Sequence, residues 1–208
     1  MFKNIIFDWS GVINDNSFAI YQTVREVLLT KGTQLNLTFD EFRKRWKQPY
    51  MDFYHQFLPD FSLEEQCVLY QKILPKYEEN KVVLGMNDLI KNDFNKDINL
   101  FVISSDYPET LLKQVKLFEL ENLFKEIICG SHDKSNDVKA LIEKYKLDLD
   151  KTIFIGDSNH EIDSARKNGI KSCAVTWGLS DANYLASFNP DFIAYNPKEL
   201  KHILFNIC

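Results

Sequence analysis

Long apolar runs are missing from this chain. No uninterrupted stretch approaches the ~18 residues that a membrane-spanning helix needs. The opening Met1-Phe2-Lys3-Asn4-Ile5-Ile6-Phe7-Asp8 meets charge too soon to read as a secretory signal. Cysteine is sparse: four in 208 residues, at 67, 129, 173 and 208, with no C-x-x-C pair. That pattern points to free thiols in a reducing cytoplasm rather than to disulfides or thiolate metal sites. Histidine is as sparse, and His55, His132, His160 and His202 never fall four apart, which argues against a helical zinc pair. Positive charge is not in excess either. Twenty-five Lys and Arg face 30 Asp and Glu, for a net charge of −5. Phosphate backbones demand clustered cations, so no nucleic-acid partner is expected, and no membrane partner. Internal repeats and low-complexity segments are absent.

What remains is the profile of a globular protein, 45% hydrophobic and 26% charged. Short apolar runs recur at Lys3 to Phe7, Asn99 to Ile103, Glu126 to Cys129, Thr152 to Ile155, Ser172 to Thr176 and Asp191 to Ala194. Each run is continuous rather than alternating, as strands buried on both faces are. Amphipathic helical patterns lie between them, at Glu109 to Phe118, Ser135 to Tyr145 and Ser158 to Asn168. Alternating strand and helix predicts an α/β fold with a doubly wound parallel sheet. Between the first two strands the pattern changes to helix alone: Phe18 to Lys31, Thr38 to Lys47, Met51 to Phe57 and Leu63 to Glu79. Thr38-Phe39-Asp40-Glu41 and Ser62-Leu63-Glu64-Glu65 carry the capping-box spacing. A block this long exceeds one crossover. The expected organisation is a core of residues 1–16 and 82–208 with a small helical cap, residues 17–81, inserted into it.

In an open parallel sheet, functional groups gather at the carboxyl ends of the strands. Asp8 follows the first strand and Ser104-Ser105 the second. Gly130-Ser131-His132-Asp133-Lys134 follows the third and Gly156-Asp157-Ser158-Asn159-His160-Glu161 the fourth. Singly, each has an ordinary explanation: an aspartate after a strand is commonly a turn or cap residue, and an isolated lysine a solvated charge. Jointly they are a phosphate-handling set. Two carboxylates meeting at one spot repel unless a cation lies between them. Asp8 and Asp157 offer the hard oxygens that magnesium takes. Glu161, one turn beyond Asp157, either holds a metal-bound water or pairs with Lys134. Asp8 would attack phosphorus, with Ser104 and Lys134 steadying the phosphate oxygens.

These stretches resemble the haloacid dehalogenase superfamily of hydrolases, in its small-cap branch with a helical insertion after the first motif. "IIFDWSGVI" is similar to the first motif, "FVISSD" to the second, "KSNDVKALIEKYKL" to the third and "TIFIGDSNHEIDSARKNGI" to the fourth. The last is the most specific, and the resemblance spans nearly the whole chain. It implies an Mg2+-dependent hydrolase acting on a small phosphorylated metabolite through an aspartyl-phosphate on Asp8. Catalytic roles would fall to Asp8, position 10 and Lys134, and phosphate binding to Ser104, Ser105 and Lys134, with Lys139 the fallback lysine. The metal ligands would be Asp8, the main-chain carbonyl of Ser10 and Asp157, with Glu161 in support. A cap segment, Lys44 to Phe53, is the candidate for reaching the site, though its aromatics fit a cap core equally well.

The departure is Ser10. Phosphatases of the family carry a second aspartate there, which protonates the leaving alcohol and later activates water. A serine hydroxyl is a poor acid and a poor base near neutral pH, and such help is typically worth ~10²–10⁴ in rate. Three readings stay open. The first is a phosphatase with another proton donor, for which the cap lysines, His132 and His160 are the visible candidates. The second is carbon–phosphorus bond hydrolysis, since "DWSG" is close to the "DWAG" of relatives that use a cap lysine; Lys44 or Lys47 would serve. The third is a phosphate-binding or regulatory protein without turnover. Receiver-type signalling domains also gather acids at strand ends, but they are much shorter and lack the helical insertion.

Overall fold

The computed structural model describes residues 1–94, 97–131 and 133–206. Six strands form one parallel sheet in the order β3-β2-β1-β4-β5-β6. They are β1 (Asn4–Phe7), β2 (Asn99–Ile103), β3 (Glu126–Ile128), β4 (Thr152–Gly156), β5 (Lys171–Val175) and β6 (Phe192–Ala194). Every expected strand is present, each within a residue or so of its predicted ends.

The continuous apolar runs have the physical cause anticipated for them. Along the strands, Ile5, Phe7, Leu100, Val102, Ile153, Ile155, Cys173 and Val175 face one cluster. It is covered by α6 (Pro108–Leu117), α10 (Pro197–Asn206) and the short α5 (Met86–Asp88). The alternate residues Ile6, Phe101, Ile103 and Phe154 face the other, under α7 (Lys134–Tyr145) and α8 (Asn159–Lys167). A strand with apolar partners on both sides has no reason to alternate with polar residues. Helices α5, α10 and α9 (Ala182–Ser187) were not anticipated; α5 and α9 are too short to show a periodic stripe.

The insertion consists of α1 (Ser17–Thr30), α2 (Phe39–Arg45), α3 (Met51–His55) and α4 (Leu63–Ile73). Helix α4 stops well before the expected Glu79. Pro75 lies in the 3₁₀ turn that follows, and proline cannot donate to a continuing helix. Thr38 forms the full capping box: its hydroxyl accepts from the Glu41 amide, and the Glu41 carboxylate accepts from the Thr38 amide at 2.8 Å. At the start of α4, Ser62 accepts from the Glu65 amide, while the Glu65 carboxylate pairs with Lys31, the residue that ends α1 as its C-cap.

The four helices own a second hydrophobic cluster, from Ile20 and Val24 to Phe61 and Ile73. At its centre is the fully buried Phe42, ringed by Tyr21, Trp46 and Phe53 at centroid distances of 4.9–5.2 Å. Two chain segments join this block to the sheet. They run side by side, with the Asp15 amide on the Lys81 carbonyl and the Val83 amide on the Ile13 carbonyl, at 2.8 and 2.9 Å.

Because Phe42 anchors a core separate from that of the sheet, Phe42→Ala is expected to cost about 3–5 kcal/mol in the helical block. Hydrogen exchange would check it: α1 and α2 amides should speed up while those of β1 and β4 stay protected. Equal acceleration in both would show that the two cores unfold as one unit.

Candidate active site

Strand order reverses at β1. The chain crosses one way to β2 and β3 and the other way to β4, β5 and β6, which opens a crevice at the carboxyl ends of β2, β1 and β4. Phe7 is in register with both Val102 and Ile155. The residues that follow these three strands, Asp8, Ser104 and Asp157, are therefore delivered to one rim. All three are buried.

Local folding supplies the remaining groups. Asp133 caps α7 by accepting from the amides of Ser135 and Asn136, which starts the helix at Lys134 and turns its side chain inward. Lys134 Nζ lies 2.9 Å from Asp8 Oδ1 and 2.5 Å from Glu161 Oε1. Lys139 sits on the exposed side of α7, 3.9 Å from Glu143. Lys134 is thus the lysine that reaches the carboxylates. Glu161 does double duty: its other oxygen accepts from the Ser158 amide at 3.0 Å and hydroxyl at 2.7 Å, closing the capping box of α8. The cap role and the site role of this segment are one arrangement.

Asp157 is gripped by backbone. Its Oδ2 accepts from the Leu179 amide at 2.7 Å. Gly11 and Gly178 close on it from either side; a Cβ on them would lie 2.3 and 2.1 Å from Oδ2. Gly11 also holds φ at +75°, a conformation that favours glycine. The glycine after Ser10 therefore turns the chain and makes room for the second acid.

Asp8, Asp157 and Glu161 each offer a carboxylate oxygen within 4.8 Å of the others. One lysine cannot neutralise three buried acids, and the imbalance shows in their affinities for protons. Burial pushes Asp8 well above the ordinary carboxylate range, with Lys134 opposing and Glu161 and Asp157 adding to the rise. Burial, then Glu161, pushes Asp157 up to about 7. Glu161 goes the other way: burial would raise it, but the charge and hydrogen bond of Lys134 outweigh that and hold it low. Lys134 is held firmly protonated because Asp8 and Glu161 outweigh its burial. An all-oxygen pocket with surplus negative charge fits a hard divalent cation.

The remaining expected residues are placed as follows. Ser10 is half-buried at the rim, its hydroxyl 2.6 Å from Asp106 Oδ2. Ser104 is buried beside it, while Ser105 is exposed. Lys44 and Lys47 are exposed, and Lys47 Nζ lies 5.1 Å from the centre of the Tyr184 ring. His160 is exposed, and His132 lies outside the described residues. Within the segment from Lys44 to Phe53, Trp46 and Phe53 are buried in the core of the helical block, and Tyr50 stacks on Trp46.

Two residues escaped the sequence reading. Asp106 stands two places after Ser104, and a carboxylate so close to the end of a central strand was the signal for it. Arg43 gave none. From α2 it donates to the carbonyls of Thr176 and Ser180, the latter at 3.0 Å, and so ties the helical block to the loop that holds Asp157.

The family model described as haloacid dehalogenase-like hydrolase matches residues 5–175. The chain belongs to this family. This haloacid dehalogenase-like chain is 24% identical over 205 residues to pyrophosphatase PpaX of Oceanobacillus iheyensis, covering 95% of this chain and 94% of that one. Its fold matches a haloacid dehalogenase-like hydrolase from Streptococcus pneumoniae with a TM-score of 0.78 at 21% identity, over 96% of this chain and 97% of that one. It also matches the HAD-hydrolase YfnB of Bacillus subtilis bound to magnesium, with a TM-score of 0.70 at 17% identity, over 98% and 99% of the two chains. No helix of the described residues is long and apolar enough to cross a membrane.

A carboxyl with a folded pKa near 7, against an ordinary 3.8, contributes stability that is full in acid and drains away as pH climbs through 7. Asp157→Asn removes that charge while keeping an oxygen for the Leu179 amide. It is expected to stabilise the metal-free protein by about 1–3 kcal/mol at pH 8 and by much less at pH 5. Urea titrations at the two pH values, in chelator, provide the check.

Proposed function

We propose that this protein is a magnesium-dependent phosphohydrolase that acts on a small phosphorylated compound through Asp8. The observation that supports this most is the buried triad of Asp8, Asp157 and Glu161 with Lys134 among them, at the reversal point of the sheet. The family membership and the pyrophosphatase name carried by the PpaX relative agree with it. A soluble protein of the cytoplasm is the matching setting, and residues 17–81 act as a cap over the site.

Asp8, Asp157 and the main-chain carbonyl of Ser10 would hold the magnesium ion, with Glu161 behind them. When bound, the ion supplies positive charge to phosphate oxygens and relieves the repulsion between the two aspartates. The chain's own groups do the rest. Lys134 fixes the Asp8 carboxylate through Oδ1 and adds its charge against the phosphoryl group. The Ser104 hydroxyl, which donates to Asp106 in the free protein, turns to a phosphate oxygen when substrate binds. Asp8 then attacks phosphorus in line, the bond to the leaving group breaks, and water cleaves the resulting acyl phosphate. Splitting the reaction this way replaces one difficult displacement by two easier ones. Arg43 keeps the cap seated on the loop that carries Leu179 and so limits water at the site.

The test is phosphate release with magnesium from three compounds: pyrophosphate, p-nitrophenyl phosphate and an alkyl phosphate. Turnover of at least one is expected, with a loss of ~10³-fold or more in Asp8→Asn. Magnesium should also raise the melting temperature of the wild type and leave that of Asp157→Asn unmoved. No release from any of the three, together with no thermal shift, would sink the proposal.

A further inference from the structure

The hydroxyl of Ser10 is engaged. It donates to Asp106 Oδ2 at 2.6 Å and accepts from Asn16 Nδ2 at 2.9 Å. The same Asp106 oxygen accepts from the Ser104 hydroxyl at 3.1 Å, and the Asp106 amide donates back to that hydroxyl. Asn16 is itself fixed, its Oδ1 accepting from the Gly11 amide at 3.0 Å. Asp106 is half-buried, and among the described residues no cation lies within ion-pair distance of it. A carboxylate held by two serine hydroxyls, without a neutralising partner, contributes little to stability. Its place is nevertheless well defined: one oxygen bridges the hydroxyl of Ser10, two residues beyond Asp8, and that of Ser104.

We infer that Asp106 is the catalytic carboxylate that position 10 lacks, delivered from the neighbouring strand. A serine ends one atom short of an aspartate. The missing oxygen is found across the crevice, at hydrogen-bond distance from where the serine stops. Ser10, itself held by Asn16, and Ser104 fix that oxygen between the ends of β1 and β2. The inference rests on the phosphohydrolase reading. In the first step Asp106 takes the proton of the bound phosphate monoanion, an Asp8 oxygen bonds to phosphorus, the bond from phosphorus to the leaving oxygen breaks, and that proton passes to the leaving oxygen. In the second, water bonds to phosphorus, its proton passes to Asp106, and the Asp8–phosphorus bond breaks. Phosphate leaves carrying that proton, and both groups are carboxylates again, as they began.

The experiment compares the wild type with D106N, S10D and the double variant S10D/D106N on p-nitrophenyl phosphate and an alkyl phosphate. A nitrophenolate leaves without help and an alkoxide does not. D106N is expected to lose ~10²–10⁴-fold in kcat/KM on the alkyl phosphate and less than about tenfold on p-nitrophenyl phosphate. With the second substrate it should release a burst of nitrophenol and then turn over slowly, because the water step has lost its base. S10D alone crowds two carboxylates and should gain nothing. S10D/D106N moves the carboxylate to the other strand and should recover the alkyl phosphate to within about tenfold of the wild type. Binding of orthophosphate to D106N, followed by calorimetry, should stay within about threefold of the wild type, since it needs no proton exchange. Equal losses on both substrates, no loss on either, or a double variant as poor as D106N would overturn the assignment. A wild type inert on both substrates and on pyrophosphate would instead sink the phosphohydrolase reading, and this assignment with it.

Discussion

Buried negative charge in excess of the lysine that pairs with it is the constraint on which this molecule turns. Three carboxylates within 4.8 Å share Lys134 and little water. Such a cluster lowers stability unless a further cation or a phosphate-bound ion answers it. The fold carries that cost where it is most rigid. Asp8 and Asp157 extend adjacent central strands packed on both faces, and Lys134 and Glu161 sit in the first turns of two capped helices. A group on such a frame cannot swing away to relax the repulsion. The strain is kept for the ligand that relieves it, as sites with displaced carboxyl affinities commonly do.

The same frame explains how the helical block is coupled to the site. Leu179 packs against the block's cluster, and its amide holds Asp157. Arg43 donates to carbonyls on both sides of it, at Thr176 and Ser180. A shift of α2 therefore bears on the loop that fixes the Asp157 carboxylate. The two linkers, paired through Asp15 with Lys81 and Ile13 with Val83, run through the residues between Ser10 and Asn16, whose side chains are hydrogen-bonded to each other. The connection from the sheet to the helical block therefore passes directly beside Ser10 and its hydrogen-bond partner Asn16.

Most of this frame is legible from residues alone, for identifiable reasons. Continuous apolar runs give strands covered on both faces, and the strand-end rule then places Asp8, Ser104 and Asp157 on one rim before any contact is known. The capping signals of α2 and α4 survive as hydrogen bonds, the first in full and the second through Ser62, because they are local. What escapes is what depends on cross-chain geometry. Asp106 reads as a loop acid until β1 and β2 are set side by side; only then does it meet Ser10, 96 positions away. Arg43 looks like any charge on an exposed helix end, and its partners are carbonyls, which no side-chain pattern records. The choice between Lys134 and Lys139 is also geometric. Both lie on α7, but only the first helical position, set by the Asp133 cap, points back to the strand ends.

Ser10 shows how a substitution in a motif can mislead when it is read in isolation. Taken alone, the loss of an acid at this position implies a handicapped enzyme, a different bond to cleave or no turnover at all. The structure changes the premise, because a carboxylate oxygen lies 2.6 Å from the serine hydroxyl. Position 10 and position 106 then form one functional unit, and the acid has a new address in the chain with its place in space nearly kept. An aspartate at both positions would set two like charges together with no cation between them, which is unfavourable in so enclosed a crevice. A serine at 10 is what an aspartate at 106 requires: a neutral donor short enough to leave room and polar enough to hold it.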